Sequence, residues 1–165
     1  VMPDIHKRLT IAAPIDWVWA ALTDATTLSI WMQDNHVQID LREGGTYQFF
    51  NGQTSGKFIH IAPTSLLEYT WRQKSWQPTW EDSLVRWELH ASRTSTHIYL
   101  IHSRLPNTVE RDSHDTGFSG LMVDTGNHTD FRFRQSEFGN RRRIGLKIAD
   151  DARCDLARLD AHRLV

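Results

Sequence analysis

A series of short segments that alternate apolar and polar residues constrains this chain most, because such alternation is typical of strands with one buried face. The first of these segments, residues 6–12, is stopped by Pro14. An amphipathic helix follows, with Asp16 near its start and apolar residues three and four positions apart as far as Leu22. A second short helical segment is predicted at residues 25–31. The chain therefore begins with a strand and two short helices.

The next part of the chain is predicted to be strands joined by tight turns. Gly44-Gly45 and Asn51-Gly52 are turn signals, because glycine and asparagine tolerate the positive φ angles that tight hairpins require. Strands are predicted around these turns at residues 37–41, 46–50, 57–61, 65–72, 84–90 and 96–103. Together with the first strand they form one antiparallel sheet of about six to seven strands, and the fold class is α+β.

One face of such a sheet has to be covered, and two C-terminal segments are candidates for the covering helix. Residues 113–123 have the expected place in the chain but contain Gly117 and Gly120, which cost about 1 kcal/mol each in a helix interior. Residues 148–164 space their apolar side chains as a helix does, with acidic residues first and basic residues last. The place in the chain favours residues 113–123 as the covering helix, whereas the apolar spacing and the charge distribution favour residues 148–164.

Composition and charge exclude several classes of partner. The 165 residues fit a single domain, 1–165, and 19 basic against 20 acidic residues give a net charge of −1. A chain so balanced is attracted neither to nucleic acid nor to an anionic membrane, and no apolar run approaches the roughly 20 residues that span a bilayer. The single Cys154 and a start without an apolar leader predict a cytoplasmic location.

No motif for a metal, a cofactor or a catalytic group is present. The nine histidines are scattered without ligand spacing, and the lone cysteine offers no cluster. There is no phosphate loop, dinucleotide fingerprint or nucleophile elbow. We therefore predict no cofactor and no metal, and assign no catalytic residue.

Six motifs in a fixed order carry a resemblance to a known family. They are the stretch Ala13 to Asp24, the lone Trp31, Gly44 to Phe49, Gly56 with Pro63, Tyr69 to Arg72, and Val85 to Leu89. Because these motifs occur in this order, the chain resembles the START/Bet v 1-like superfamily, in the branch named for the activator of heat-shock-protein-90 ATPase. The resemblance covers about residues 5–105, while residues 106–165 are atypical of the family.

The resemblance implies a helix-grip fold, in which a curved sheet and a C-terminal helix enclose a cavity for an apolar or aromatic small molecule. On that basis we expect a ligand-binding protein. Two alternatives are a cyclase- or hydrolase-type enzyme that uses the same cavity, and a protein-interaction domain like the co-chaperone relatives. A homodimer is compatible with all three.

Candidate cavity residues follow from strand periodicity and from the resemblance. Inward-facing positions and the expected cavity mouth give the set Trp31, Tyr47, Phe49, Tyr69, Trp71, Trp87, Leu100, His102 and Phe118. The alternative for each is ordinary core packing, since aromatic residues dominate cores. His102 is the most informative of them, because it shares a strand face with Leu100 and an imidazole there could orient a ligand or move a proton.

Overall fold

The computed structural model describes residues 2–32, 34–124 and 129–131. Its helices are α1 (Ile15–Thr23), α2 (Ala25–Met32) and α3 (Thr108–Leu121). Its strands are β1 (Ile5–Ile11), β2 (Gln38–Ile39), β3 (Thr46–Phe49), β4 (Thr54–Ala62), β5 (Leu66–Gln73), β6 (Ser83–Ser92), β7 (Ser95–Ser103), β8 (Met122–Asp124) and β9 (Thr129–Phe131).

Seven strands form one open, curved antiparallel sheet in the order β1-β7-β6-β5-β4-β3-β2. The chain runs through neighbouring strands from β2 to β7, and β1 then pairs with β7 at the far edge, with Ile5 opposite His102. In the described part of the chain, β8 and β9 form a separate two-stranded sheet. The predicted α+β helix-grip architecture, with two short helices after the first strand and a C-terminal helix, is confirmed.

The β3–β4 hairpin turns where the sequence predicted it. Phe50, Asn51 and Gly52 have positive φ angles of 52°, 54° and 77°, and the N–H of Gln53 donates to the carbonyl of Phe50 at 3.2 Å. Only glycine adopts this region freely, with asparagine next, so the Asn-Gly pair is suited to the turn. Phe50 carries the strain, and its side chain is exposed at the hairpin tip.

The two N-terminal helices are separated by a single aspartate. Val18, Ala21 and Leu22 are the buried stripe of α1, as their spacing predicted. Asp24 ends that helix and begins the next, since its carboxylate accepts hydrogen bonds from the N–H and the hydroxyl of Thr27, both at 2.8 Å. The helices α1 and α2 pack on the concave face of the sheet, where the main hydrophobic core lies.

The concave face carries two packed clusters. The larger lies between α1, α2 and the sheet, and includes Val85, Leu89 and Ile98. The smaller lies further along the same face and consists of Ile5, Trp76 and Leu105, with Met2, Trp71 and Trp80 packed against it. Trp71 contacts both clusters and therefore sits at their boundary.

Helix α3 supplies the cover at this boundary. Asn107 precedes it and accepts a hydrogen bond from the N–H of Glu110 through Oδ1, at 2.9 Å. The helix overlaps the first candidate segment, residues 113–123, but begins five residues earlier. The second candidate, residues 148–164, lies outside the described residues. Within the described part of the chain, no helix is long and apolar enough to cross a membrane.

Candidate functional site

Aromatic side chains from β3, β4 and β5 form a contiguous cluster on the concave face. The ring of Tyr47 lies 4.7 Å from Phe49, 5.6 Å from Phe58 and 5.1 Å from Tyr69, measured between centroids. Both tyrosines are buried, and burial raises the pKa of each phenol well above its usual value. These hydroxyls are therefore neutral hydrogen-bonding groups and are poorly suited to acid–base chemistry near neutral pH.

Each buried phenol has an assigned hydrogen bond. The hydroxyl of Tyr47 donates to the carbonyl of Thr70 at 2.7 Å, which ties β3 to β5 across β4. The hydroxyl of Tyr69 accepts from the indole nitrogen of Trp87 at 2.9 Å. Gly56 makes the first contact possible, because a Cβ at this position would lie 1.9 Å from the carbonyl oxygen of Thr70.

An inner cavity of about 50 Å³ lies between this cluster and α2. Its lining consists of Leu22, Leu28, Met32, Ile39, Tyr47, Phe49, Phe58, Tyr69, Trp71 and Trp87. A water molecule occupies about 30 Å³ in the liquid, so this space admits one or two small groups and no aromatic ligand. Most of the aromatic inner face is therefore packed core in this conformation.

A larger, open cleft of about 540 Å³ adjoins the inner cavity. It lies between the end of α2, the tip of the β3–β4 hairpin, the end of β5 and helix α3. It is lined by Met32, Phe50, Trp71, Gln73, Ser75, Glu110, Ser113, His114 and Gly117. Met32 and Trp71 line both spaces, so these two side chains form the wall between the cleft and the inner cavity.

Trp71 is held in this wall by α3. Its indole nitrogen donates to Nε2 of His114 at 3.0 Å. Nδ1 of the same imidazole lies 2.7 Å from the carbonyl oxygen of Glu110, which can only accept. The pattern requires a neutral His114 with its hydrogen on Nδ1, because an indole N–H can only donate. Both imidazole nitrogens are thus engaged in fixing Trp71 against the helix.

His102 lies behind this wall and is fully buried. Ser83 donates its hydroxyl hydrogen to the carbonyl of Trp71 at 3.0 Å, so the 2.8 Å contact between Ser83 Oγ and His102 Nε2 is donated by the imidazole. Burial, and secondarily the nearby His114, lowers the pKa of His102 to about 3. The ring is therefore neutral near pH 7 and cross-links β5, β6 and β7.

The hairpin that forms one side of the cleft is positioned by a buried carboxylate. Asp34, 4% exposed, follows α2 and accepts hydrogen bonds from the backbone N–H groups of Phe50 and His36. The first of these satisfies the N–H of a residue held at positive φ. Asp34 thus fixes the hairpin tip, and with it the side chain of Phe50, relative to α2.

The structure distributes the predicted site residues over three places. Tyr47, Phe49, Tyr69 and Trp87 surround the inner cavity, and Trp71 lines both the inner cavity and the cleft. Leu100 and His102 are fully buried on the same face and line neither space. Trp31 belongs to α2 and Phe118 to α3, but their side chains lie outside the described part of the chain.

Several cleft residues were missed by the sequence analysis. Glu110 and Ser113 lie on α3, four residues or fewer from His114, and Met32 ends α2. A signal for them was present: Asn107 followed three residues later by Glu110 is the pattern of a helix N-terminus. That pattern predicts a helix from residue 108, on which Glu110 and His114 fall on one face.

Arg72 lies on β5 but lines neither the inner cavity nor the cleft. Its guanidinium donates to the carbonyls of Gln77 and Trp80 and to the carboxylate of Asp82, all within 2.9 Å. It therefore holds the β5–β6 loop. Within the described ranges, no group of three or more His, Cys, Asp or Glu side chains is placed to hold a metal ion.

Comparison with known proteins identifies the family. The family model described as "Activator of Hsp90 ATPase homolog 1-like protein" matches residues 12–124, more than half of the chain. The chain belongs to this family. The match begins just after β1 and covers both short helices, strands β2 to β7 and α3, so it includes every element that lines the cleft.

Individual relatives are distant. An uncharacterised protein of Schizosaccharomyces pombe is 26% identical over 103 residues, which are 62% of this chain and 30% of that protein; this chain therefore spans less than a third of it. The crystal structure of an HSP90 activator from Plasmodium falciparum superposes with a TM-score of 0.67 at 21% identity, covering 71% of this chain and 88% of that one. CalU16 from Micromonospora echinospora superposes with a TM-score of 0.62 at 26% identity, covering 71% and 69%.

Proposed function

We propose that this protein binds a small apolar or aromatic molecule in the cleft between α2, the β3–β4 hairpin and α3. The observation that carries the proposal is the cleft itself. Its volume of about 540 Å³ lies within the 300–1,000 Å³ typical of small-molecule sites, whereas the inner cavity does not. Trp71, Phe50 and Met32 give it apolar walls, and a few polar side chains on α3 face them.

The inner cavity provides a direction in which the cleft could enlarge. Met32 separates the two spaces, and methionine changes rotamer readily because its side chain is unbranched. A ligand in the cleft that displaces this side chain would gain contact with Phe49 and Tyr69. Under this proposal, the predicted aromatic residues that line the inner cavity contact the ligand once the Met32 side chain has moved aside.

The chemistry of the surroundings supports binding rather than turnover. Burial raises the pKa of Tyr47 and Tyr69 and lowers that of His102, so all three side chains are neutral near pH 7. None of the three lines the cleft. His114 does line it, but both of its nitrogens are engaged, one by Trp71 and one by Glu110. The described residues of the cleft therefore offer a surface for recognition, with no free acid–base pair among them.

A matched pair of substitutions on α3 tests the proposal. Ser113→Tyr places a ring in the cleft, whereas Thr116→Tyr places the same ring on an exposed part of the helix that does not line it. We expect calorimetric titration with one- and two-ring apolar compounds to show binding to the parent and to the Thr116 variant, and at least tenfold weaker binding to the Ser113 variant. Equal affinity for all three proteins would contradict the proposal.

A further inference from the structure

The charge of the cleft specifies its ligand more closely. Among the described residues that line it, Glu110 alone has a charged side chain, and no lysine or arginine of that set faces it. The carboxylate is partly buried, with 25% of the side chain exposed. Removing a carboxylate from water is costly unless a positive charge or a hydrogen-bond donor compensates for it.

The neighbouring imidazole does not supply that compensation. Nδ1 of His114 lies 3.8 Å from Oε2 of Glu110, but its hydrogen is donated to the backbone carbonyl of the same residue at 2.7 Å. The other nitrogen accepts from Trp71 and carries no hydrogen. A neutral His114 therefore leaves the carboxylate of Glu110 available to a group that enters the cleft.

The other side chains that line the cleft favour the same kind of group. Trp71 and Phe50 present aromatic side chains to the space, and the faces of aromatic rings attract cations. Met32 adds a polarisable thioether beside them. A ligand with an ammonium group on a flat apolar body would thus find both a carboxylate and aromatic side chains in the cleft, whereas a carboxylate ligand would be repelled by Glu110.

On the basis of the proposed function, we infer that the cleft takes a flat apolar amine, whose ring packs against Trp71 and whose ammonium group pairs with Glu110. Such a charge-assisted contact is stronger than a neutral hydrogen bond and restricts the orientation of the ligand. It also discriminates between ligands of equal size and shape, because only the cation gains from the carboxylate.

Three indoles that differ mainly in charge test this inference by calorimetry. Tryptamine is a cation near neutral pH, 3-methylindole is neutral, and indole-3-acetate is an anion. We expect the affinity to fall in that order, with tryptamine at least tenfold tighter than 3-methylindole. Glu110→Gln is expected to remove this difference, and Glu110→Lys to reverse the order. Asp112→Asn is the matched control, since Asp112 is an exposed acid of the same helix that does not line the cleft.

The outcomes separate the inference from the proposal on which it rests. Binding of 3-methylindole that Ser113→Tyr abolishes supports the cleft as a site, whatever the charge order. If the three indoles then bind equally, or if Glu110→Gln leaves their order unchanged, the amine inference is wrong and the proposed function stands. If none of the three binds at millimolar concentration, both are overturned.

Discussion

The burial of His102 makes the stability of this protein depend on pH in a defined direction. In the unfolded chain the imidazole titrates near its usual pKa of about 6.5, whereas in the folded protein burial lowers the pKa to about 3. At a pH between these two pKa values, the His102 imidazole is protonated in the unfolded chain and neutral in the folded protein. The free energy of unfolding therefore falls as the pH falls below about 6.5, and this loss ends only near pH 3.

The magnitude follows from the two pKa values. For a single group shifted from 6.5 to about 3, going from pH 8 to pH 5 costs about 2 kcal/mol, and the complete shift is worth roughly 5 kcal/mol. The side chain is fully buried, so solvent screens this effect little. A loss of about 2 kcal/mol is a substantial part of the stability of an average domain.

Urea unfolding at pH 5, 6, 7 and 8, followed by tryptophan fluorescence and circular dichroism, measures this dependence. His102→Gln removes the titrating group, so we expect its free energy of unfolding to change about 2 kcal/mol less between pH 8 and pH 5 than that of the parent. His60→Gln is the control, because that imidazole is 56% exposed, and it should retain the parent's slope. Parallel pH curves for the parent and the His102 variant would refute the burial of a neutral imidazole.

Three further substitutions, one of them a control, test the elements that shape the site. Asp34→Ala removes a buried carboxylate that accepts from the N–H of Phe50, and we expect a loss of about 2–3 kcal/mol in the free energy of unfolding, measured in urea; a change below 0.5 kcal/mol would mean that the hairpin tip does not depend on it. Gly56→Ala puts a Cβ against the carbonyl of Thr70 and should cost at least about 2 kcal/mol, whereas Gly117→Ala, with nothing within 4 Å, should be neutral or stabilising by up to about 1 kcal/mol. Equal melting temperatures for Gly56→Ala and Gly117→Ala would contradict the close approach of β4 to β5 at Gly56.

The sheet could be predicted because its information is local. Alternation in residues 65–72 and 84–90 reflects one buried face of β5 and β6, and the Asn51-Gly52 turn reflects the φ angles of two residues. The buried stripe of α1 is local in the same sense, since its members lie within a turn and a half of the helix. Such patterns need no knowledge of what packs against them.

The site depends on distances that the sequence does not encode locally. Periodicity places Tyr69 and Trp71 on the inner face, but whether that face is packed or hollow depends on how closely α2 approaches it. The Ser83–His102 pair joins residues 19 positions apart, and the Trp71–His114 bond joins residues 43 apart. The second contact also depends on α3, which its place in the chain predicted at residues 113–123, although Gly117 lowers its intrinsic helix propensity.

Indole resonances test the central claim of a ligand in the cleft most directly. The chain has seven tryptophans, of which Trp71 lines the cleft and Trp17 lies on α1 away from it. In ¹⁵N-labelled protein titrated with 3-methylindole, and with the two signals assigned by Trp→Phe variants, we expect the Trp71 indole signal to shift saturably and that of Trp17 to stay in place. A saturable shift at Trp17 with the Trp71 signal unmoved would contradict the account.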